Sequence, residues 1–401
     1  MKNGDIYDHR LLTSIKLENL LSFGPGAARL DLGNLNILIG PNASGKSNFI
    51  EALSLLRATP VSGASNMDLP GIVRRGGGVN EWIWKRNESS TATIDIVVNY
   101  PEGTEPLRHL IFFRYGQSFH LEDERIGDES MTRRNEVRGA YYRYRRGQAV
   151  VKVKAGQNDR KHLPGMDPSL SILAQLRDRD QYPEITYLAE TYEKIRIYRE
   201  WSFGRNTVIR EPQRADTRND RLEEDFSNLG LFLSRLRKTP RATVSILNGL
   251  KDLYDGVTSF EVIVEGGSVQ VFFNEGDFAV PATRLSDGTL RYLCLLAILC
   301  DPKPPPLICI EEPELGLHPD ILPKLADLLV DSSQRTQLIV TTHSDILVDA
   351  MSERPEAIVV CEKHEGQTVM RRLKKDELTS WLDEYRLGQL WTKGQIGGTR
   401  W

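Results

Sequence analysis

The segment Gly40-Pro41-Asn42-Ala43-Ser44-Gly45-Lys46-Ser47 lies between two regular apolar patterns. Before it, Ile37-Leu38-Ile39 is typical of a buried strand, and after it the apolar spacing from Asn48 to Leu56 is helical. A glycine-rich loop in this setting points successive backbone N–H groups, and the positive end of the helix dipole, at one place. The segment therefore predicts a phosphate-binding loop of the GxxxxGK[ST] type.

The residue types within this loop predict both the nucleotide and the metal. Lys46 would contact the β and γ phosphates, and the hydroxyl of Ser47 would bind Mg²⁺. We therefore expect ATP and Mg²⁺ as ligands, with an ATP-binding set formed by Gly40, Pro41, Asn42, Ala43, Ser44, Gly45, Lys46 and Ser47.

A pair of carboxylates follows another buried-strand run, Leu307-Ile308-Cys309-Ile310. Adjacent residues on a strand point to opposite faces, so Glu311 and Glu312 can serve one site only if the strand ends there. Pro313, which has no N–H to donate to a ladder, supplies that ending. Phosphoryl transfer depends on positioning and charge neutralisation, so we expect Glu311 to hold the magnesium shell and Glu312 to orient and deprotonate water.

Two further segments carry polar residues next to regular elements. Leu285-Ser286-Asp287-Gly288-Thr289 precedes a helical stretch, for which Ser286 or Asp287 is a natural N-cap. The apolar run Leu338-Ile339-Val340 delivers Thr341-Thr342-His343-Ser344 at its end. Taken singly, the first is an ordinary capped helix and the second an ordinary histidine.

In order and spacing, GPNASGKS, LSDGT, IEEPE and TTHS resemble the Walker A, signature, Walker B and H-loop motifs of ABC-type ATPase heads in RecF, SMC and OLD-class nucleases. More narrowly, LSDGTLRYL and the segments at 385–388 and 397–401 are similar to those of small AAA-family ATPases related to RecF. The motif matches cover residues 11–60 and 280–401. This resemblance implies an α/β fold, namely a P-loop NTPase of ABC-ATPase-head type with an antiparallel β subdomain and an inserted α+β lobe.

The resemblance also implies roles and a partner. Glu312 would be the catalytic base and His343 the sensor of the γ-phosphate. The signature would act in trans, with Ser286, Asp287 and Gly288 of one subunit closing on the ATP of the other in a two-fold homodimer.

Three departures from the family pattern stand out. Glu311 replaces the commoner aspartate, and its extra methylene predicts slow turnover. LSDGT replaces LSGGQ and places Asp287 near the partner's phosphates, for which Arg291 is the candidate offsetting cation. The Q-loop glutamine stays open between Gln117, Gln148, Gln175 and Gln181, and His318 is interpreted as a turn residue before Pro319.

Composition points to an intracellular protein. The chain has 401 residues, 40% hydrophobic and 27% charged, with a formal net charge of -3. No apolar stretch approaches the length of a membrane span, and no signal segment opens the chain, so we expect a cytoplasmic protein without membrane contact. Its four cysteines lie in apolar runs without metal-type spacing, which favours buried reduced thiols.

Along the chain, the pattern indicates a split head. We assign residues 1–115 and 255–401 to the ATPase head and 116–254 to an inserted lobe of helices and a hairpin. Residues 60–78, rich in Ser, Gly and Pro, are predicted to be loop. No heptad repeat runs through the insert, which excludes long coiled-coil arms.

Residues 131–161 carry ten basic residues against two acidic ones, a local charge of +8. Tyr141, Tyr142 and Tyr144 interleave with arginines, which suits phosphate contacts with base stacking. The alternative is an ordinary hairpin of residues 141–145 and 149–154, with Val151 and Val153 inward and Lys152 and Lys154 solvated. The candidate nucleic-acid residues are Arg143, Arg145, Arg146, Lys152 and Lys154.

Two classes of function follow from the sequence. The first is an ATP-hydrolysing head that works in DNA repair or DNA-linked defence. The second is a nucleotide-gated switch with little turnover, which holds or releases a toxin or nuclease partner, encoded by a neighbouring gene, in an anti-phage system. The sequence leaves both open.

Overall fold

A computed structural model describes residues 9–63, 66–86, 91–130, 140–153, 160–253 and 256–398. The strands, in chain order, are β1 (Leu12–Glu18), β2 (Leu30–Asp31), β3 (Leu35–Ile39), β4 (Thr91–Val98), β5 (Leu107–Arg114), β6 (Leu121–Asp128), β7 (Ala140–Arg145), β8 (Gln148–Lys152), β9 (Arg160–Leu163), β10 (Arg196–Tyr198), β11 (Gln213–Arg214), β12 (Val257–Glu265), β13 (Ser268–Glu275), β14 (Phe278–Pro281), β15 (Leu307–Glu311), β16 (Gln337–Thr341), β17 (Ile358–His364) and β18 (Gln367–Arg372).

The helices are α1 (Lys46–Ala58), α2 (Leu69–Arg75), α3 (Val79–Trp82), α4 (Ile172–Gln175), α5 (Pro183–Tyr192), α6 (Leu229–Leu236), α7 (Pro240–Leu253), α8 (Asp287–Leu299), α9 (Leu322–Ser332), α10 (Asp345–Asp349), α11 (Lys375–Leu382) and α12 (Leu387–Thr392). Short 3₁₀ helices lie at Val208–Arg210, Ala282–Arg284, Pro319–Ile321 and Pro355–Ala357.

A six-stranded sheet positions the predicted nucleotide motifs. Its order is β10-β15-β16-β3-β17-β18, with parallel pairing up to β17 and an antiparallel last strand. The strand before the glycine loop, β3, neighbours β16, and β16 neighbours β15. Because the carboxyl ends of parallel strands lie at one edge, this order brings three distant motifs together.

Both faces of this sheet are covered, which explains why its strands are apolar throughout. Along β3, Leu38 belongs to one hydrophobic core, whereas Ile37 and Ile39 belong to the other. Along β15, Cys309 and Ile310 divide in the same way. The alternation of side chains along a strand therefore joins two cores through a single sheet.

The second large sheet is antiparallel and has eight strands, in the order β2-β1-β4-β5-β6-β7-β8-β9. Strand β1, which carries the buried Ile15 and Leu17, pairs antiparallel with β2 and β4. Strands on both sides of residue 115 belong to this sheet, and the domain boundary placed there stays a prediction. A third sheet, of strands β11 to β14, lies just before the signature segment in the chain.

The predicted loop at residues 60–78 is wrong in part, because α2 lies within it. Asp68 caps this helix by accepting a hydrogen bond from the Gly71 N–H at 2.8 Å, and Ile72 and Val73 are buried. A favourable N-cap and an apolar face thus outweigh a composition typical of loops.

The four cysteines are confirmed as buried and free. Within the described residues, no helix combines the length and apolar character that crossing a membrane requires.

Candidate functional site at the carboxyl edge of the parallel sheet

The glycine loop has the backbone that its sequence predicts. It connects β3 to α1, and Gly45 and Gly40 adopt φ angles of 103° and 148°. A Cβ atom at Gly40 would lie 2.2 Å from the carbonyl oxygen of Cys361, and one at Gly45 would lie 2.1 Å from Oγ1 of Thr368. Both positions therefore require glycine on conformational and on steric grounds.

Lys46 is the first residue of α1 and is buried. Its Nζ donates hydrogen bonds to the carbonyl oxygens of Gly40 at 2.7 Å and Pro41 at 3.1 Å. Burial lowers the pKa of this lysine, although nearby carboxylates, Glu312 first among them, act in the opposite direction. The amine is thus held over the loop by two carbonyls, which a phosphate oxygen can replace.

The two predicted carboxylates emerge together at the end of β15. Glu311 is the last residue of the strand, and Glu312 adopts a left-handed backbone with φ 46°. The Glu312 N–H donates to the carbonyl oxygen of Thr341 at 3.0 Å, which ties the turn to β16. The left-handed residue explains how neighbouring side chains can approach one site.

His343 lies directly against Glu312. Its Nε2 is 3.4 Å from Oε1 of Glu312, and each side chain is 36% exposed. The predicted base and the predicted γ-phosphate sensor are therefore neighbours at a solvent-accessible position.

Glu314 is a residue that the sequence interpretation missed. Its Oε1 accepts hydrogen bonds from Oγ1 of Thr342 at 2.8 Å and from the His343 N–H at 2.7 Å. Burial is the main cause that raises the pKa of this carboxyl. Glu314 fixes the histidine loop to the segment after β15, a role that only the spatial pairing of β15 and β16 reveals.

His318 is confirmed as a turn residue. Its exposed side chain accepts a hydrogen bond from the Asp320 N–H at 3.4 Å, at the start of the 3₁₀ helix Pro319–Ile321.

Arg199 was also missed, and it pairs with the metal-site carboxylate. Its Nε lies 3.3 Å from Oε2 of Glu311, and its Nη1 donates to Glu51 of α1. Burial lowers its pKa, but the bond to Glu51 and the charge of Glu311 outweigh burial and raise it. A weak signal was present in Ile195-Arg196-Ile197-Tyr198, whose alternation is typical of a strand that ends just before Arg199.

Several buried polar atoms at this edge have no protein partner. They are Oγ of Ser44, Oε1 of Glu311 and Oε2 of Glu314. Buried polar atoms are rarely left without a hydrogen bond. A hydroxyl and carboxylate oxygens beside a lysine form a suitable donor set for phosphate and Mg²⁺. The residues present therefore fit the predicted ligands.

The signature segment forms the N-terminus of α8. Ser286, rather than Asp287, is the N-cap, and its Oγ accepts from the Thr289 N–H at 3.2 Å. A Cβ at Gly288 would lie 2.7 Å from the carbonyl oxygen of Gly316, so this end of α8 packs closely on the segment after β15.

The prediction that Arg291 offsets the charge of Asp287 is wrong. Arg210, not Arg291, forms the ion pair with Asp287. Arg291 is buried, its Nη1 donates to the carbonyl oxygen of Glu312 at 3.2 Å, and its guanidinium lies 4.9 Å from the ring centre of Trp201. A residue one turn into α8 points back into its own subunit, which the sequence spacing alone did not show.

The profile of one domain family, described as an AAA domain, putative AbiEii toxin, type IV toxin–antitoxin system, matches residues 35–349. The chain belongs to this AAA domain family. Comparison with curated protein sequences finds no significant match.

Solved structures show the same fold. The chain is similar to an Smc head bound to the C-winged helix domain of ScpA, at TM-score 0.55 and 15% identity, covering 92% of this chain and 99% of that one. It is also similar to an Smc head with an extended coiled coil bound to the C-terminal domain of ScpA from Pyrococcus furiosus, at TM-score 0.54 and 14% identity, covering 93% and 99%. The AAA domain thus has the fold of these Smc ATPase heads.

The four glutamines considered for the Q-loop lie in four different segments of this AAA domain. Gln148 begins β8 and Gln175 ends α4, while Gln117 and Gln181 lie on loops. The strand beside β15 is β10, and Arg199 follows it directly. Arg199 therefore lies next to the carboxylates, and the choice among the four glutamines stays a prediction.

The basic hairpin is confirmed as β7 and β8, with Val151 buried. A cavity of about 500 Å³, here called the basic groove, is lined by Arg143, Arg145, Arg146, Lys152 and Arg160 together with neutral residues. Lys154 lies outside the described residues.

The base-stacking role of two tyrosines is wrong. Tyr142 and Tyr144 are buried, on the face of β7 opposite Arg143 and Arg145. Tyr141 is half-buried, and the Lys152 amine lies over its ring, 5.1 Å from the ring centre.

Proposed function

We propose that the chain binds and hydrolyses ATP with Mg²⁺. The observation that carries this proposal is the meeting of Lys46, Glu311, Glu312 and His343 at the carboxyl edge of three adjacent parallel strands. The loop 40–47 supplies backbone N–H groups and the lysine for the phosphates. Few other chemistries need a phosphate cradle, a metal carboxylate and a base in one place.

Each residue has a distinct role in this proposal. Ser47 and Glu311 would hold Mg²⁺, which supplies charge neutralisation for the phosphates. Glu312 takes the proton of the attacking water, and His343, 3.4 Å away, orients that carboxylate and senses the terminal phosphate. Glu314 keeps the His343 backbone in place.

We further propose that two chains close around two ATP molecules. Ser286 and Asp287 are exposed at the N-terminus of α8, where unpaired N–H groups favour an anion. Arg210 offsets the charge of Asp287. A two-fold pair would then place this helix end over the partner's loop.

The test of the nucleotide site is Lys46→Ala. Removal of the buried amine that contacts the loop carbonyls is expected to weaken binding of a non-hydrolysable ATP analogue by at least about two orders of magnitude, measured by isothermal titration. Thermal unfolding checks that the variant is folded. Unchanged affinity would remove the loop assignment.

The basic groove supports coupling of this ATPase to nucleic acid, as in DNA repair or DNA-linked defence. Its cations cluster on one face of the antiparallel sheet, which suits phosphate contacts rather than base reading. Reversal of Arg143, Arg145 and Arg146 to Glu should weaken duplex DNA binding and flatten its dependence on salt. An unchanged salt slope would leave the groove as an ordinary basic surface.

A second candidate is a nucleotide-gated switch with little turnover. One observation that favours the switch is the ion pair between Arg199 and Glu311, because it occupies the carboxylate proposed to hold Mg²⁺. Another is the toxin–antitoxin system named in the family description. The similar Smc heads bind a ScpA domain, which suggests that this head also binds an effector protein. Copurification with the product of a neighbouring gene, lost on addition of ATP, would support the switch. DNA-stimulated phosphate release would support the ATPase.

A further inference from the structure

A cavity of about 400 Å³ lies at the opposite edge of the six-stranded sheet. It is bounded by the amino ends of β10 and β15, by the turn after α5 and by residues 218–222 and 301–306. Its apolar lining includes Leu222, Phe232, Ile298, Pro304 and Pro305. The volume and the partly apolar lining suit a small organic ligand.

Arg196, the first residue of β10, also lines the cavity and is only 6% exposed. Its Nη1 donates to the carbonyl oxygens of Glu193 at 3.0 Å and Ile195 at 2.6 Å. Its Nε is buried and has no hydrogen-bond acceptor. Among the described residues, no carboxylate forms an ion pair with this guanidinium, and burial, followed by the charge of Arg221, lowers its pKa.

Other arginines of the chain show what the free Nε–Nη2 edge can bind. Arg108 holds Asp95 by this edge at 2.8 and 2.6 Å, and Arg218 holds Asp220 at 2.7 and 2.6 Å. Such two-point contacts suit carboxylates and phosphates equally in geometry. In the described chain, the same edge of Arg196 has no carboxylate.

The charges around the cavity favour a dianion. Its lining carboxylates already pair with arginines: Glu190 with Arg179, Glu193 with Arg177, Asp220 with Arg218 and Asp301 with Arg235. Lys194 and Lys303 line the same cavity, and neither forms an ion pair with a described residue. Glu224 is near enough to Arg196 to act against the lowering of its pKa, but it forms no ion pair with the guanidinium. Arg196, Lys194 and Lys303 are therefore three cations without an ion pair to a described residue, which match a phosphate monoester of charge close to -2 better than a carboxylate.

We propose that this cavity binds an organic phosphate monoester with a flat apolar body. The phosphate lies at Arg196, with Lys194 and Lys303 beside it, and the body packs against Phe232 and the prolines that follow Lys303. This site is separate from the glycine loop, so the proposal holds whether or not the chain hydrolyses ATP.

The probe is phenyl phosphate, and binding to the full chain is measured by isothermal titration in a Lys46→Ala background, which excludes the glycine loop. Saturable binding at one site is expected. Inorganic phosphate, which lacks the apolar body, and benzoate, which lacks the second charge, should each bind at least about tenfold more weakly.

Arg196→Met should weaken phenyl phosphate binding at least about tenfold. Arg196→Gln is a second variant, because its amide keeps a donor for the carbonyl oxygens if the Met variant does not fold. The matched control is Arg218→Met, because this arginine also lines the cavity and its Nε–Nη2 edge is already occupied by Asp220. It should change the affinity by less than about threefold.

Three outcomes would overturn the proposal: no saturable binding of phenyl phosphate, equal binding of inorganic phosphate, or wild-type affinity in both Arg196 variants. The difference in ATP-analogue binding between the wild-type chain and the Lys46→Ala variant reports on the glycine loop, so a failure there is distinguishable from a failure here.

Discussion

The short strand β10 has an arginine at each end, and the two arginines differ in their partners. At the carboxyl edge, Arg199 pairs with Glu51 and Glu311. At the amino edge, Arg196 is buried, and in the described chain no carboxylate pairs with it. One edge thus contains charges that already compensate one another, whereas the other contains a cation with a free binding edge. The residue type is the same, and only the surroundings separate a positioning role from a binding role.

The largest expected effect at the carboxyl edge comes from Glu312→Gln. The amide keeps the size of the side chain but cannot accept a proton, so ATP hydrolysis should fall by roughly two orders of magnitude while binding persists. Intact ATP should then hold a stable dimer. Phosphate release and light scattering on one sample measure both effects.

Glu311→Gln is the matched control, because it alters the neighbouring carboxylate and should chiefly change the metal requirement. Wild-type turnover in the Glu312→Gln protein would remove the catalytic role of Glu312 and favour the switch.

The next effect concerns the exposed end of α8. Ser286→Arg places bulk and charge where a second subunit would close, and the ATP-dependent dimer should dissociate at least about tenfold more readily. Nucleotide binding by the monomer should remain near wild type. Ser118→Arg, at an exposed serine between β5 and β6, is the control. An identical dimer in both variants, by light scattering, contradicts the head-to-tail arrangement.

Glu314→Ala tests whether Glu314 holds His343 in position at the carboxyl edge of the sheet. The change removes two acceptor contacts, to Thr342 and to the His343 N–H, and should reduce the free energy of unfolding by about 2 to 3 kcal/mol. Because His343 would lose its position, kcat should fall about tenfold with little change in KM. Chemical denaturation and steady-state kinetics measure these quantities. A loss of stability with unchanged kcat would limit Glu314 to a structural role.

Residues of the carboxyl edge were predictable where a local motif carried them. Lys46, Glu312 and His343 each follow a strand at fixed spacing, and those strands are apolar because the sheet is covered on both faces. Arg199, Arg210 and Glu314 were not predictable, because their partners are far away in the chain and are brought close only by the sheet order and the turn after β15.

In the basic hairpin, by contrast, a local pattern was sufficient for a correct prediction but was interpreted wrongly in part. Its strands were predictable from alternation, and the same alternation already places Tyr142 and Tyr144 opposite Arg143. The stacking prediction failed because it used only the order of residues along the chain. It did not consider that successive side chains of a strand point to opposite faces. Arg196 shows the remaining gap, since nothing local indicates that a buried arginine lacks a carboxylate.

The smallest expected effect tests the comparison itself, by giving the carboxyl edge an uncompensated carboxylate. Arg199→Met removes the cation that pairs with Glu311, a contact that is partly exposed and worth about 0.5 to 1 kcal/mol. With no competing guanidinium, Mg²⁺ should support ATP hydrolysis at a concentration about threefold lower. Arg199→Lys keeps the charge and should stay close to wild type. Titration of phosphate release against Mg²⁺ measures the half-saturating concentration. A higher requirement in the Met variant would mean that Arg199 holds Glu311 in its metal-binding position rather than competing for it, and the pair would then act with the metal instead of against it.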